Sequence, residues 1–259
     1  QLLYAAALAV YGRRQHLLQQ FWREDPHPMA ELWRAIQVRE SRLHPRTQVV
    51  PQGTAAVHGE CVGISQSPRR DVYCTAATLQ NAAFVALVRA SLPKEHADFA
   101  FSTIQVNPGL RPLVHRDSAN LGQSLTIGLG PYTGGSLWQA LVDAPVDAAR
   151  QVATYPPWKW TLMNGSSLHA CTPFAGERSS LVLFTHEALL RAIPPDVSAK
   201  ALSLGLDLVP SVSAEASAAQ GTRDKAKASE WRFDAARCLV AEAAIEVAST
   251  SVNQMASAS

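Results

Sequence analysis

Three residues of this chain have the types and the order of a metal-binding set: His115, Asp117 and His169. Residues two apart on a strand point to the same face, so His115 and Asp117 can act on one ligand. A later histidine would complete a set of two histidines and one carboxylate. That set suits non-haem Fe(II), because it leaves coordination positions open. The sequence therefore predicts an iron site in which these three residues are both the metal ligands and the catalytic centre.

An arginine and a serine follow the second histidine, at Arg178 and Ser180. On a strand they would share one face. A guanidinium group presents a planar fork that matches a carboxylate, so the pair could hold the second carboxylate of a bound diacid. Each motif is weak by itself, because a lone His-x-Asp pair or a lone arginine usually has no such role. Their order and spacing together predict one site.

Short strands must position these residues. Polar and apolar residues alternate over short runs that are separated by Gly, Pro and Asn turns, at 101–107, 124–130, 136–138, 158–163 and 180–185. This succession indicates an all-β sandwich or jelly roll. On the first strand, Gln105 and Asn107 would face the wall that carries the metal set. They either contact a co-substrate or substrate there, or only satisfy neighbouring backbone groups.

The string HRD…MNGSSLHACTPFAGERSSLVLF resembles the core of the Fe(II)/2-oxoglutarate-dependent dioxygenases over residues 99–188, about a third of the chain. Within that superfamily, YTGGSLW and the arginine resemble the branch that contains the TET and J-binding-protein nucleobase hydroxylases and related algal and protist proteins. The resemblance implies an α+β fold with a double-stranded β-helix core, which is jelly-roll and cupin-like. N-terminal helices would flank this core and a helical extension would follow it. Asn164 replaces an acidic residue often found in the family, at a position that binds no metal.

The resemblance also implies roles and a reaction. His115, Asp117 and His169 would bind Fe(II), Arg178 would pair with the distal carboxylate of 2-oxoglutarate, and Ser180 would donate a hydrogen bond beside it. With molecular oxygen, the co-substrate would be decarboxylated oxidatively while an unidentified substrate is hydroxylated. A nucleobase is the first expectation for that substrate and a protein side chain the second. The prolyl hydroxylases usually carry lysine at the anchor position, which weakly disfavours the second.

Other interpretations stay open. A cupin-like metal enzyme would need no 2-oxoglutarate, and a catalytically silent β-helix module would only bind a partner. A zinc site with Cys171 as a ligand is a further possibility, although Asp117 completes the set without it. The tryptophans at 138, 158 and 160 are expected to pack in the barrel rather than to stack on bases.

Composition sets few limits. A net charge of +2 neither requires nor excludes nucleic acid. Four cysteines without a framework-like spacing indicate reduced thiols in an intracellular compartment. The apolar run near the N-terminus is too short to span a bilayer and is expected to form an amphipathic helix. Because the chain begins at Gln1, it is expected to be a fragment or a processed form.

The expected organisation has four parts. Residues 1–98 form a helical region that flanks the core, and residues 99–195 form the catalytic core. Residues 196–222 are a linker, and residues 223–259 are a helix followed by a disordered tail. Helical spacing is expected at 28–43 and 76–92, and a strand at 58–65. His186 is expected to end the last core strand and to face solvent.

Overall fold

The structure is a computed structural model that describes residues 29–39, 42–43, 58–67, 69–117, 119–140, 152–155 and 157–208. Over these residues the chain is mostly antiparallel sheet with a few helices. The helices are α1 (Ala30–Gln37), α2 (Leu79–Ala90) and α3 (Pro195–Ser203), with short 3-10 helices at Lys94–His96 and Glu187–Leu190. The strands are β1 (Arg42–Leu43), β2 (His58–Gln66), β3 (Val72–Cys74), β4 (Thr103–Pro108), β5 (Asn120–Leu129), β6 (Tyr132–Gly134), β7 (Leu137–Ala140), β8 (Val152–Tyr155), β9 (Thr161–Asn164), β10 (His169–Cys171), β11 (Phe174–Gly176) and β12 (Ser179–His186).

The largest sheet has the strand order β1-β2-β4-β12-β5-β9, with β3 paired to β2. A smaller sheet has the order β10-β7-β8, and β11 pairs with β6. All of these pairs are antiparallel. The strand β12 lies in the middle of the large sheet, where Ser180 is opposite both Asn107 and Gly128. Residues directly opposite one another share a face, so these three form a row across three strands.

Alternation along the central strands separates a core face from a polar face. Buried aliphatic residues occupy the core face, among them Ile104, Val106, Leu125, Ile127, Leu181 and Leu183. They pack with residues of the three helices into one apolar cluster. Each such side chain contributes roughly 1.5–3 kcal/mol by leaving water. Gln105 and Asn107 lie on the opposite face, as the alternation of this strand predicts.

The two helices predicted before the core are present in shortened form, and residues 42–43 of the first expected range form β1 instead. The first expected helix corresponds to α1 and the second to α2, which Thr78 caps by accepting a hydrogen bond from the backbone N–H of Asn81. The strand expected at 58–65 is β2. The described helices include none that is long and apolar enough to cross a membrane.

The structure differs from the linker expected at 196–222. Residues 195–203 form α3, and its Val197 and Ala201 are buried in the apolar cluster. Proline at the first helical position favours a helix start, and Pro195 is the first residue of α3. Leu204 and Leu206 are also buried. The apolar core therefore continues beyond residue 196. The expected N-terminal amphipathic helix, the rest of the linker and the C-terminal helix and tail lie outside the described residues.

The prediction that His186 faces solvent is wrong. Its side chain is buried, and its Nδ1 accepts a hydrogen bond of 3.0 Å from the backbone N–H of Ala188. Its own backbone N–H donates to Ser102 Oγ at 2.9 Å. The strand β12 continues to this residue, because His186 pairs with Asn120 of β5. Burial lowers the pKa of His186, and Glu187 opposes this only in part.

We expect this histidine to make the fold sensitive to acid. Because its folded-state pKa lies below the ordinary value of 6.5, its stabilising contribution is present above that value and is lost as pH falls through the folded-state pKa. His186→Asn keeps an acceptor for Ala188 but cannot titrate. The Tm of the wild type should therefore fall more than that of the variant between pH 7 and pH 5. An equal fall in both proteins would contradict this assignment.

Candidate metal and anion site

Backbone hydrogen bonds bring the three predicted metal ligands together. His115 and His169 form an isolated antiparallel bridge, in which the N–H of each donates to the carbonyl of the other at 3.0 Å. The backbone N–H of Asp117 donates to Gly165 O at 2.8 Å. The loop that carries His115 and Asp117 is thus attached at two points to the segment that leads into β10. This explains how residues 54 positions apart in sequence meet.

The ligand atoms of His115, Asp117 and His169 all lie within 4.8 Å of one another. Each histidine Nε2 is 3.6 Å from a carboxylate oxygen of Asp117. The three side chains are largely buried, with at most 18% of their surface exposed. Two nitrogens and one carboxylate at this spacing can bind a single ion from one side.

The histidine rings are held in one orientation. His115 Nδ1 lies 2.7 Å from the carbonyl of Leu113, and His169 Nδ1 lies 2.9 Å from the carbonyl of Ser167. A carbonyl oxygen only accepts, so in the neutral ring Nδ1 carries the proton and Nε2 carries the lone pair. Metal-binding histidines are commonly oriented by such a bond at the other ring nitrogen. The two rings therefore direct their lone pairs toward the space beside Asp117.

Asn120 lies beside the carboxylate and was not predicted from the sequence. Its Nδ2 is 3.5 Å from Asp117 Oδ2 and 3.1 Å from Ser124 Oγ. An amide nitrogen is favourable next to a carboxylate oxygen, which fixes the orientation of this amide. Gly165 leaves the space for it, because a Cβ there would lie 2.9 Å from Asn120 Nδ2. The Asn-Gly turn thus supports the metal set in addition to ending β9.

Arg178 is the buried cation of the site, with 7% of its surface exposed. Its guanidinium carbon lies 5.5 Å from the ring centroid of Tyr132 and 5.6 Å from that of Phe174. In the described part of the chain, no carboxylate pairs with it. Its Nε and the hydroxyl of Tyr132 are both buried without a hydrogen-bond partner. Because a buried unpaired charge is costly, these two donors fit an anion between or beside them.

Burial raises the pKa of Tyr132, and the positive charge of Arg178 and the close approach of its guanidinium to the phenol oxygen oppose this only in part. The phenol therefore keeps its proton at neutral pH and can donate a hydrogen bond. No binding role was predicted for Tyr132, which is the first residue of the YTGGSLW motif. The motif in fact supplies a side chain that lies next to Arg178.

Two glycines make room for this pair of donors. A Cβ on Gly128 would lie 2.3 Å from the hydroxyl of Tyr132 and 3.3 Å from Arg178 Nη2. A Cβ on Gly135, which also has a φ of +67°, would lie 2.8 Å from the Tyr132 ring and 3.0 Å from Arg178 Cδ. Any side chain at either position would displace the phenol or the guanidinium. The anion pocket therefore depends on residues that contribute no side chain.

A single cavity is lined by both groups, the metal set and Arg178. Gln105, Asn107 and Ser180 also line it. Gln105 Nε2 donates to Asn107 Oδ1 and to the carbonyl of Val106, both at 3.2 Å. Gln105 therefore satisfies a backbone group, as one interpretation of the sequence predicts, and it also lines the cavity.

The zinc interpretation with Cys171 finds no support in the geometry. Cys171 lines the cavity, but the group that could hold a metal ion in the described residues consists of His115, Asp117 and His169 alone. Burial raises the pKa of the Cys171 thiol, which disfavours the thiolate that zinc requires.

Trp138 and Trp160 are buried, as packing residues should be.

No protein-family model matches the chain, and no curated protein matches it. Solved structures do match. An oxidoreductase of the 2OG-Fe(II) oxygenase family from Burkholderia pseudomallei has a TM-score of 0.41 and 16% identity, over 62% of this chain and 79% of the other. A prolyl-4-hydroxylase from Pseudomonas putida has a TM-score of 0.34 and 18% identity, over 61% of this chain and 84% of the other. NgTET1 in complex with 5mC DNA has a TM-score of 0.34 and 16% identity, over 50% of this chain and 61% of the other.

Proposed function

We propose that this protein is an Fe(II)/2-oxoglutarate-dependent oxygenase that hydroxylates an unidentified substrate. The observation that carries the proposal is the shared cavity. A set of two histidines and one carboxylate lines it together with a buried arginine that has no carboxylate partner in the described chain. A metal set alone would fit many enzymes, and a buried cation alone would fit many anions. Together they suit a diacid with one end at the metal and the other at the cation.

His115, Asp117 and His169 would hold the iron. When bound, Fe(II) with 2-oxoglutarate and oxygen supplies oxidative decarboxylation of the co-substrate to succinate and carbon dioxide, coupled to hydroxylation of the substrate. The chain's own task is to orient and to protect. The carbonyls of Leu113 and Ser167 keep the histidine lone pairs pointed inward, and the amide of Asn120 lies against the carboxylate. Burial of the three side chains limits access of water.

Arg178 would hold the distal carboxylate of 2-oxoglutarate. Its guanidinium offers two parallel N–H groups, and the Tyr132 hydroxyl adds a third donor from the same side. Ser180 and Asn107 lie opposite each other on adjacent strands of the same cavity wall, where they can donate to the co-substrate. The buried Arg178 Nε and Tyr132 hydroxyl would then gain the partner they lack within the protein.

We infer that the two sheets form a double-stranded β-helix. The strands alternate between sheets along the chain: β5 belongs to the large sheet, β7 and β8 to the small one, β9 to the large one, β10 to the small one and β12 to the large one. A double-sheet jelly roll has this alternation. It accounts for the way in which His169 on the small sheet and Ser180 on the large sheet line one cavity.

A nucleobase is the first candidate for the primary substrate and a protein side chain the second. The YTGGSLW motif carries the nucleobase candidate. However, its Tyr132 and Gly135 lie against Arg178, so these two residues serve the co-substrate pocket. The nucleobase candidate is therefore supported by the resemblance of the YTGGSLW motif to the nucleobase hydroxylases and not by a surface that binds a base.

Binding measurements on two variants test the oxygenase proposal against its rivals. Calorimetric titration of Mn(II)-loaded protein with 2-oxoglutarate should show binding in the wild type. Arg178→Met should retain the metal but weaken 2-oxoglutarate binding at least about thirtyfold, because losing one partner of a buried charge pair costs about 2–5 kcal/mol. His169→Ala should lose metal affinity.

Each rival predicts a different outcome. If Arg178→Met keeps its affinity for 2-oxoglutarate, the anchor assignment is wrong. Metal binding without any affinity for 2-oxoglutarate in the wild type would favour the cupin-like enzyme. A wild type that binds no metal would favour the silent binding module.

The glycine pocket provides an independent test. Gly128→Ala should weaken 2-oxoglutarate binding about tenfold or more and leave metal affinity unchanged, because the added methyl displaces the Tyr132 hydroxyl. Adding Tyr132→Phe to Gly128→Ala removes the hydroxyl that clashes with the new methyl group. The double variant should therefore regain the Tm that Gly128→Ala loses, but its affinity for 2-oxoglutarate should stay below that of the wild type. Wild-type affinity in Gly128→Ala would show that the pocket is not where the co-substrate binds.

A further inference from the structure

Lys159 lies where the cavity opens. Among the residues that line the cavity, it is the exposed one, while the others are buried or half-buried. It carries a positive charge, and in the described part of the chain it has no carboxylate partner. The one carboxylate that lines the cavity, Asp117, belongs to the metal set. A cation at the mouth of a cavity attracts anions that enter it.

Two tryptophans fix the direction of this lysine. Trp160 is buried in the apolar cluster and donates from its indole Nε1 to the carbonyl of Ser91 at 3.1 Å. Trp158 packs against the same cluster. Residues 157–159 form a turn, and within it Lys159 lines the cavity between these two tryptophans.

The backbone beside Lys159 has an uncommon conformation. Trp158 has a φ of +61°, which bulky residues rarely adopt. Its backbone N–H donates to the carbonyl of Gly128 at 3.0 Å and so holds the conformation. Strained backbone that the surrounding structure retains is often found at functional sites. Residues 158–160 are therefore fixed by the packing of the two tryptophans and by a backbone hydrogen bond, and Lys159 is the one of the three that lines the cavity.

The same hydrogen bond places Lys159 next to the anion pocket. Gly128 is the residue against which the Arg178 guanidinium and the Tyr132 hydroxyl lie. Adjacent strands are separated by about 4.8 Å. A lysine has a flexible four-carbon stem, so its ammonium group can reach an anion held over Gly128 from the solvent side.

We propose that Lys159 is a second cation for the distal carboxylate of 2-oxoglutarate, an inference that rests on the proposed function. Arg178 would bind that carboxylate from within the barrel, and Lys159 would approach it from the mouth. Because Lys159 is exposed, its contribution is smaller than that of Arg178 and is screened by salt. The ammonium group therefore assists capture of the dianion, while the guanidinium fixes its position.

Calorimetric titration of Mn(II)-loaded protein with 2-oxoglutarate, at low and at moderate salt, tests this role. Lys159→Met should raise the Kd about two- to fivefold at low salt and make it less sensitive to salt. Lys159→Glu should raise it about tenfold or more, because it places a negative charge at the same point. Lys94→Glu is the matched control, since Lys94 is exposed and does not line the cavity. Its Kd should equal that of the wild type.

The possible failures are distinguishable. If the wild type binds 2-oxoglutarate and Arg178→Met does not, while both Lys159 variants match the wild type, the role of Lys159 is refuted and the proposed function stands. If the wild type itself does not bind 2-oxoglutarate, both proposals are refuted. A variant with a lowered Tm would be replaced by Lys159→Gln, which keeps a polar side chain and should show the same rise in Kd as Lys159→Met.

Discussion

The antiparallel pairing of β12 with β4 on one side and β5 on the other determines which side chains face the cavity. Its register places Ser180 between Asn107 and Gly128 on the polar face, and Leu181 between Val106 and Ile127 in the core. A slip of one residue would exchange these two faces. The apolar cluster under the helices thus enforces the register, and the register creates the polar wall on which the anion pocket is built.

The chemistry of the cavity follows from the metal set and the Arg178–Tyr132 pair, which differ in whether their polar atoms have hydrogen-bond partners within the protein. The metal set is organised by backbone bonds, since His115 and His169 bond to each other through the main chain and their rings bond to nearby carbonyls. Arg178 is instead left with a buried donor and a neighbouring phenol that have no partner. A preorganised ligand set beside an unsatisfied cation fits a co-substrate that is a chelator at one end and an anion at the other.

The sequence was most informative where the residue type itself limits the chemistry. Histidine, aspartate and arginine in that order indicated both groups, and alternation indicated the face of Gln105 and Asn107. Tyr132, Asn120 and Lys159 were missed as residues that line the cavity, because their positions there depend on neighbours distant in sequence. His186 and the helix at Pro195–Ser203 were misjudged for the same reason. Whether the end of a strand or a short amphipathic segment is buried depends on what packs against it, and no local pattern contains that information.

One measurement requires the metal set and the anion pocket to act on the same molecule. Protein loaded with Fe(II) without oxygen is titrated with 2-oxoglutarate while the visible absorption is recorded. We predict a metal-to-ligand charge-transfer band that saturates with 2-oxoglutarate and is lost in His169→Ala. Iron binding by the wild type without this band at saturating 2-oxoglutarate would contradict the assignment of the cavity to an Fe(II)/2-oxoglutarate-dependent oxygenase.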